Sequence, residues 1–157
     1  MQLHYNSNGG NGMLGMGWSL TGLGAVTRYT GGGIRYDASD RFIGPDGVLV
    51  ASSGGFRGRE NGSTLYQLQG NPANPDGFIA LSADKTKYYY GMTPDSRISS
   101  TRGAYAWALS KVEDVNGRSY TIEYLQDQGA WYVQKISSYS DIGENILVIL
   151  NYTERPD

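Results

Sequence analysis

The sequence contains no cysteine, which excludes disulfides, iron–sulfur clusters and thiolate zinc sites and leaves the redox state of its compartment unreadable. It has one histidine, His4. A two-histidine metal motif is therefore impossible, and a serine-histidine-acid triad would have to use the extreme start of the chain, so His4 reads as a solvated or packed strand residue. The most apolar block, ILVIL at 146 to 150, is far shorter than the ~20 residues a membrane-spanning helix needs. Neither sign of charge dominates, with 13 lysines and arginines against 15 aspartates and glutamates, a net charge of -2 and a pI of about 5.3. Without a basic run or a global positive field, neither nucleic-acid binding nor direct membrane insertion is expected. Helix-period patterns are nearly missing and no signal peptide is visible. Met1 leads straight into a strand-like segment, as expected of a start inside a longer protein.

Glycine and aromatic residues are what the chain has in excess. Its 157 residues include 23 glycines and 13 tyrosines, the composition of an ordered, loop-rich, polar chain rather than a disordered one. The length allows a single β-rich domain, residues 1–157, with one moderate core.

The densest glycine run lies between Asn6 and Leu20, NSNGGNGMLGMGWSL. Glycine adopts positive φ freely and lets another backbone pass close, so this run reads as a tightly folded loop. Gly10, Gly12 and Gly15 formally spell G-x-G-x-x-G, with Asp37 near the distance at which a ribose-binding acid would stand. That fingerprint requires a helix starting within the glycines. Gly17, Gly22 and Gly24 keep interrupting the chain and no β-α-β pattern follows, so a structural corner is favoured over a phosphate cradle.

Downstream the hydrophobic period is two, and the class read from it is all-β: antiparallel hairpins and a meander forming a curved sheet, with little or no helix. Residues 1–77 read as glycine-rich short strands, among them Gly24 to Tyr29 and Val48 to Ala51, closed by a proline-punctuated loop at 71 to 77. Residues 78–157 read as a hairpin meander. Phe78 to Ala83 and Thr86 to Tyr90 flank a tight turn at Asp84 and Lys85. Ala104 to Val112 and Ser119 to Leu125 flank Asp114-Val115-Asn116-Gly117, whose Asn-Gly pair fits a type I′ turn. Trp131 to Tyr139 and Asn145 to Tyr152 complete the meander. ILVIL is apolar on both faces and suits a strand covered on both sides, with the cover expected in sequence downstream of Asp157.

No residue pattern nominates catalysis, a metal or a cofactor. Asp37 and Asp40, in YDASDRF, are the expected turn formers. Asp114 and Asn116 faintly resemble a calcium loop, but Arg118 and Tyr120 occupy offsets where ligands would be needed, and a hairpin turn explains the same residues. Arg57 and Arg59 read as solvated charges. The tyrosines read as core or cross-strand pairs, with sugar or base stacking as the alternative.

The run YNSNGGNGMLGMGWSL, followed by VTRY, YDASDRF, DGVLV, KYYYG, DSRI, WALSKVEDVNGRSYTIEY and ILNYTERPD, resembles the N-terminal region of the SpvB family, the virulence-plasmid B proteins. That region is shared with insecticidal toxin complex B components and Rhs and YD-repeat proteins. The resemblance implies a structural role: part of a β-shell that encapsulates or presents a C-terminal toxic domain in a secreted or surface-delivered protein. Its partners would be the remainder of a longer chain (propeller, YD repeats, C-terminal effector) and a translocating toxin component. It also implies a structural signature of Gly10, Asn11, Gly12, Gly15, Gly17, Trp18 and Arg28, with Trp107, Asp114, Gly117 and Tyr124 as a second group. Family members can carry an ADP-ribosyltransferase domain, whose chemistry needs an arginine, an S-T-S-like strand and an E-x-E pair. Arg97 with Ser99, Ser100 and Thr101 superficially fits the first two, but no E-x-E occurs in the chain, so no enzyme activity is expected of it. The rival readings are a carbohydrate-binding or adhesive module using exposed aromatics, and a hydrolase with an undetected carboxylate pair.

Overall fold

The computed structural model describes residues 2–8, 11–12, 15–16, 18–140 and 143–153, and at 3, 11, 12, 15, 16, 18 and 20 only the backbone. Within them the strands are β1 (Gln2–Tyr5), β2 (Asn11–Gly12), β3 (Gly15–Met16), β4 (Trp18–Thr21), β5 (Ala25–Arg28), β6 (Phe42–Gly44), β7 (Gly47–Ser52) and β8 (Gly55–Gly58). They continue as β9 (Leu65–Asn71), β10 (Asn74–Leu81), β11 (Lys87–Tyr90), β12 (Arg97–Ser100), β13 (Gly103–Glu113), β14 (Ser119–Asp127), β15 (Ala130–Ser140) and β16 (Gly143–Ile149). A single 3-10 turn, Pro94–Ser96, is the one helical element among the described residues. The all-β reading of the period-two pattern therefore holds.

Eight strands close on themselves. From β5 the sheet runs through β6, β7, β8, β9, β10 and β11 to β13, which pairs back to β5. The two partners lie on opposite edges of β13, because Leu109 donates its amide to Gly24 (3.0 Å) while the neighbouring Ala108 carbonyl accepts from Gly91 (2.8 Å). Adjacent residues of a strand point their backbone groups to opposite sides. The ring is thus an antiparallel barrel without a free edge along most of its circumference.

β13 is long enough to serve two structures. Its first half also pairs with β12, and its second half pairs with β14, from which β15 and β16 extend as a wing. In the wing Lys135 bridges Glu123 (2.8 Å) and Glu144 (2.9 Å), tying three strands together on the exposed face. Beyond Thr121 the edge of β14 has no strand partner from the barrel, and the 3-10 turn covers it. Asp95 Oδ2 accepts the Tyr124 amide (2.8 Å), and Gln126 Nε2 donates to the carbonyls of Asp95 (2.7 Å) and Arg97 (2.6 Å).

Alternation along these strands fills the barrel with Val26, Phe42, Leu49, Tyr66, Phe78, Ala80, Tyr90 and Trp107. At its centre Phe42, Phe78 and Trp107 meet edge to face, with ring centroids 5.0, 5.7 and 5.2 Å apart. This geometry favours the aromatic quadrupoles beyond simple burial. The Trp107 indole donates to the Pro75 carbonyl (3.1 Å), which satisfies its polar edge in the core.

Two sequence expectations change. Residues 71 to 77 are mostly strand rather than loop: β10 begins at Asn74, and Pro75 is accommodated at a bulge between Pro75 and Gly77, where a ladder amide is not required. The division at residue 77 accordingly falls inside β10. The Asn116-Gly117 turn is not type I′, since only Gly117 has positive φ (80°). Asp114 Oδ1 accepts the amides of Asn116 and Arg118 (both 2.9 Å), and Gly117 N donates to the Asp114 carbonyl (3.0 Å). This side-chain clamp holds a type I turn that ends in a left-handed glycine, the three-residue hairpin alternative. Most of ILVIL does lie on a strand, β16, and its Ile146, Leu147 and Ile149 are exposed.

In the opening run, β1 pairs with β4 (Tyr5 opposite Trp18) and β2 with β3 (Gly12 opposite Gly15), so the chain does fold back on itself there. Gly10 and Gly17, and the side chains of Asn11 and Trp18, lie outside the described residues.

Gly91, at the end of β11, combines φ of +72° with a position where an added Cβ would stand 2.8 Å from Trp107 Cβ and Cγ. Strain and overpacking coincide there. Gly91→Ala should destabilise the fold by about 3 kcal/mol in urea denaturation, whereas an unchanged midpoint would contradict the placement of Trp107 against this turn.

Candidate functional site

The barrel has two ends of different chemistry. One is plugged. Arg28, at the end of β5, points inward by the same alternation that buries Val26, and its side chain is 0% exposed. All three nitrogens of its fork are engaged: Nε donates to the Ala104 carbonyl (2.9 Å), Nη1 to Asp40 Oδ2 (2.6 Å) and Nη2 to the Ala73 carbonyl (2.7 Å). Aromatic faces enclose the guanidinium, with the centroids of Tyr36, Phe42 and Trp107 at 4.8, 5.6 and 5.8 Å. One cation thus joins the loop before β6, the β9–β10 turn and the start of β13.

Asp40 is the matching anion, with its side chain 5% exposed. Burial alone would raise its pKa, but the amides of Arg35 (2.9 Å) and Tyr36 (2.7 Å) and the Arg28 guanidinium outweigh this and hold the carboxyl below its ordinary 3.8. An aspartate read from sequence only as a turn former is therefore also the counter-ion of the plug. Local sequence could not pair it with Arg28, because the loop residues Tyr29 to Ser39 separate the two.

The opposite end is open. Leu23, Gly24, Pro45, Asp46, Thr64, Tyr66, Ser82, Tyr88, Tyr90 and Leu109 line a cavity of about 370 Å³ there. The Tyr66 hydroxyl donates to Asp46 Oδ2 (2.6 Å). Burial pushes the phenols of Tyr66 and Tyr90 well above their usual range, aided at Tyr66 by that bond to Asp46, so both stay protonated donors at neutral pH. Period-two spacing showed that tyrosines face inward. It could not show that three of them gather where the barrel interior is left unfilled.

The remaining sequence-selected residues do not join either end. Tyr124 ties wing to barrel through its hydroxyl, which donates to the Leu109 carbonyl (2.7 Å). Asp114 and Gly117 form the distant β13–β14 turn, where Arg118 Nε also reaches Asp114 Oδ2 (2.7 Å) and occupies the oxygens a cation would need. His4 sits opposite Ser19 in the β1–β4 pair and is exposed. Arg97, Ser99 and Ser100 lie on β12. There Arg97 Nε donates to the Gly91 carbonyl (2.5 Å) and Ser100 Oγ to Tyr36 Oη (3.0 Å), both packing roles. Asp37 turns toward Ser39 (2.8 Å to its amide) and not toward a second carboxylate.

A closed antiparallel barrel, plugged at one end and continued by a wing, defines a β-scaffold class. Within that class the comparisons are specific. Residues 1–69 match the family model SpvB, described as Salmonella virulence plasmid 65kDa B protein. Mono(ADP-ribosyl)transferase SpvB of Salmonella typhimurium (strain 14028s / SGSC 2262) is 42% identical over 160 residues, covering 92% of this chain and 27% of that protein. The protein of the same name from Salmonella choleraesuis (strain SC-B67) is 43% identical over 161 residues with the same coverage. Among solved structures, the N-terminal domain of effector protein SpvB from Salmonella typhimurium strain LT2 superposes with a TM-score of 0.69 at 22% identity, covering 90% of this chain and 59% of that one. TcdB2-TccC3 gives a TM-score of 0.66 at 21% identity, covering 88% of this chain and 9% of that one. The chain is similar to the N-terminal region of the SpvB family and shares its fold with a part of TcdB2-TccC3. It spans about a quarter of the length of the curated relatives it matches.

The plug yields a test. A carboxyl whose folded pKa lies below its unfolded value stabilises fully above the unfolded pKa and loses that contribution as pH falls through the folded one. Asp40→Asn leaves Arg28 buried without its counter-ion. It should cost about 3 kcal/mol near neutrality and flatten the decline of stability below pH ~4, as read by urea denaturation from neutral to acid pH. Equal stability of both proteins across that range would refute the role given to the pair.

Proposed function

We propose that the chain is a structural segment, one β-rich unit over residues 1–157, in the wall of a larger toxin-related protein that is secreted or displayed at the cell surface. The observation carrying this reading is β16. It pairs with β15 on one edge, has no strand on the other among the described residues, and exposes Ile146 (49%), Leu147 (51%) and Ile149 (54%). An open, apolar edge strand is an aggregation hazard that proteins cover. The cover assigned here is a strand from a continuation of the same chain, a reading supported by relatives that are several times longer.

In this reading the barrel is a rigid module and the wing its junction to the shell. Arg28, Trp107 and Tyr124 form the structural signature, because they fix the plug, the core and the wing respectively. The ADP-ribosyl transfer for which the relatives are named is assigned to sequence outside the matched region, since Arg97 and Ser100 are committed to packing. Partners follow as the remainder of the chain and a translocating toxin component.

Limited proteolysis tests the assignment. Residues 143–149 should be cleaved at least ~10-fold more slowly when the chain is expressed with the sequence following it in its reading frame than in the 157-residue chain alone. Equal cleavage rates would remove the junction role of β16.

A further inference from the structure

We propose that the open end of the barrel is a binding site for a single neutral saccharide ring. Tyr90 carries the argument. The residue is only 4% exposed, yet its hydroxyl has no hydrogen-bond partner among the described residues and stands 3.6 Å from where a Cβ on Gly24 would lie, at the lip of the cavity. Tyr90 lines the cavity, so its hydroxyl is free to bond a group placed there. Tyr88 and Thr64, which line the same cavity, also make no hydrogen bond within the described residues.

The lining selects the ligand class. Its one charged side chain is Asp46, so an anion would meet a carboxylate and no cation. A cation gains little, because Tyr66 already occupies Asp46 Oδ2, and the rings of Tyr66 and Tyr90 lie 6.4 Å apart at 32°, facing each other rather than forming an open cage. An acyl chain finds no depth, since Phe78, Leu49 and Trp107 fill the barrel below. What remains are hydroxyl donors and one acceptor around the apolar surfaces of Leu23, Pro45 and Leu109. A sugar presents that complement: C–H faces for the apolar wall and hydroxyls, both donor and acceptor, around its rim. The cavity of about 370 Å³ holds roughly a dozen water volumes at ~30 Å³ each, the scale of one ring.

The site is independent of the scaffold reading, so its failure leaves that reading intact. NMR titration of the chain with the methyl glycosides of glucose, galactose, mannose and N-acetylglucosamine should shift the amides of Leu23, Gly24, Asp46 and Leu109 with at least one of the four. Tyr90→Phe should weaken that binding about tenfold while leaving the melting temperature within about a degree of the parent's, because no hydrogen bond within the protein is lost. Thr64→Val supplies a second variant should Tyr90→Phe perturb the fold, with weaker binding again expected. The proposal is overturned if no glycoside shifts these amides at tens of millimolar, if the variants bind as the parent does, or if tetramethylammonium occupies the site in preference to every sugar.

Discussion

The structure depends on one buried cation. Arg28 is held by a carboxylate, two carbonyls and three aromatic faces, and those partners come from segments far apart in sequence. Desolvating a guanidinium and a carboxylate costs several kcal/mol per ion, and the cost is offset because each nitrogen of the Arg28 fork finds an acceptor. The guanidinium fits one placement of the β9–β10 turn, one start for β13 and one fold of the loop before β6, and together these set the register in which the ring closes. Trp107 is governed by the same constraint: it borders the guanidinium and donates to Pro75 from the same end.

Closure then divides the molecule by function. Around the barrel each strand pairs with a neighbour on both sides, so the ring leaves little edge for association. An edge without a strand partner among the described residues is left at β16, on the far side of the wing, where Ile146, Leu147 and Ile149 are exposed. The plugged end is polar inside and sealed, whereas the opposite end keeps a cavity because large tyrosines meet small residues, Gly24 and Pro45, at the rim. A scaffold segment can in this way be closed to its neighbours on one side, extensible on the other, and still retain a small concave site.

Much of this was legible in the residues. Period-two alternation around Tyr120, Ile122 and Tyr124, the turn residues at Asp84 and Lys85, and the Asn116-Gly117 pair located hairpins near the observed boundaries, since hairpins are local and turn chemistry is written in a few residues. Type was less secure than place. At the β13–β14 turn the Asp114 side chain captures two amides and selects a type I turn, a competition between side chain and backbone that the Asn-Gly pair does not reveal. Ring closure was not legible, because Val26 meets Trp107 through a pairing that no nearby residue encodes. Asp40 looked like any turn aspartate for the same reason: its role depends on a partner brought to it by the fold. Pro75 misled in the other direction, since a bulge removes the objection to proline in a strand.

Native-state hydrogen exchange probes the closed barrel most directly. The amides of Leu109 and Gly91, which bond to opposite sides of the ring at β13, should exchange only through global unfolding, with protection free energies equal to the stability measured by denaturant, while the amides of β16 exchange orders of magnitude faster. Exchange of Leu109 and Gly91 by local opening, at rates like those of β16, would show that the ring is not closed and would contradict the account.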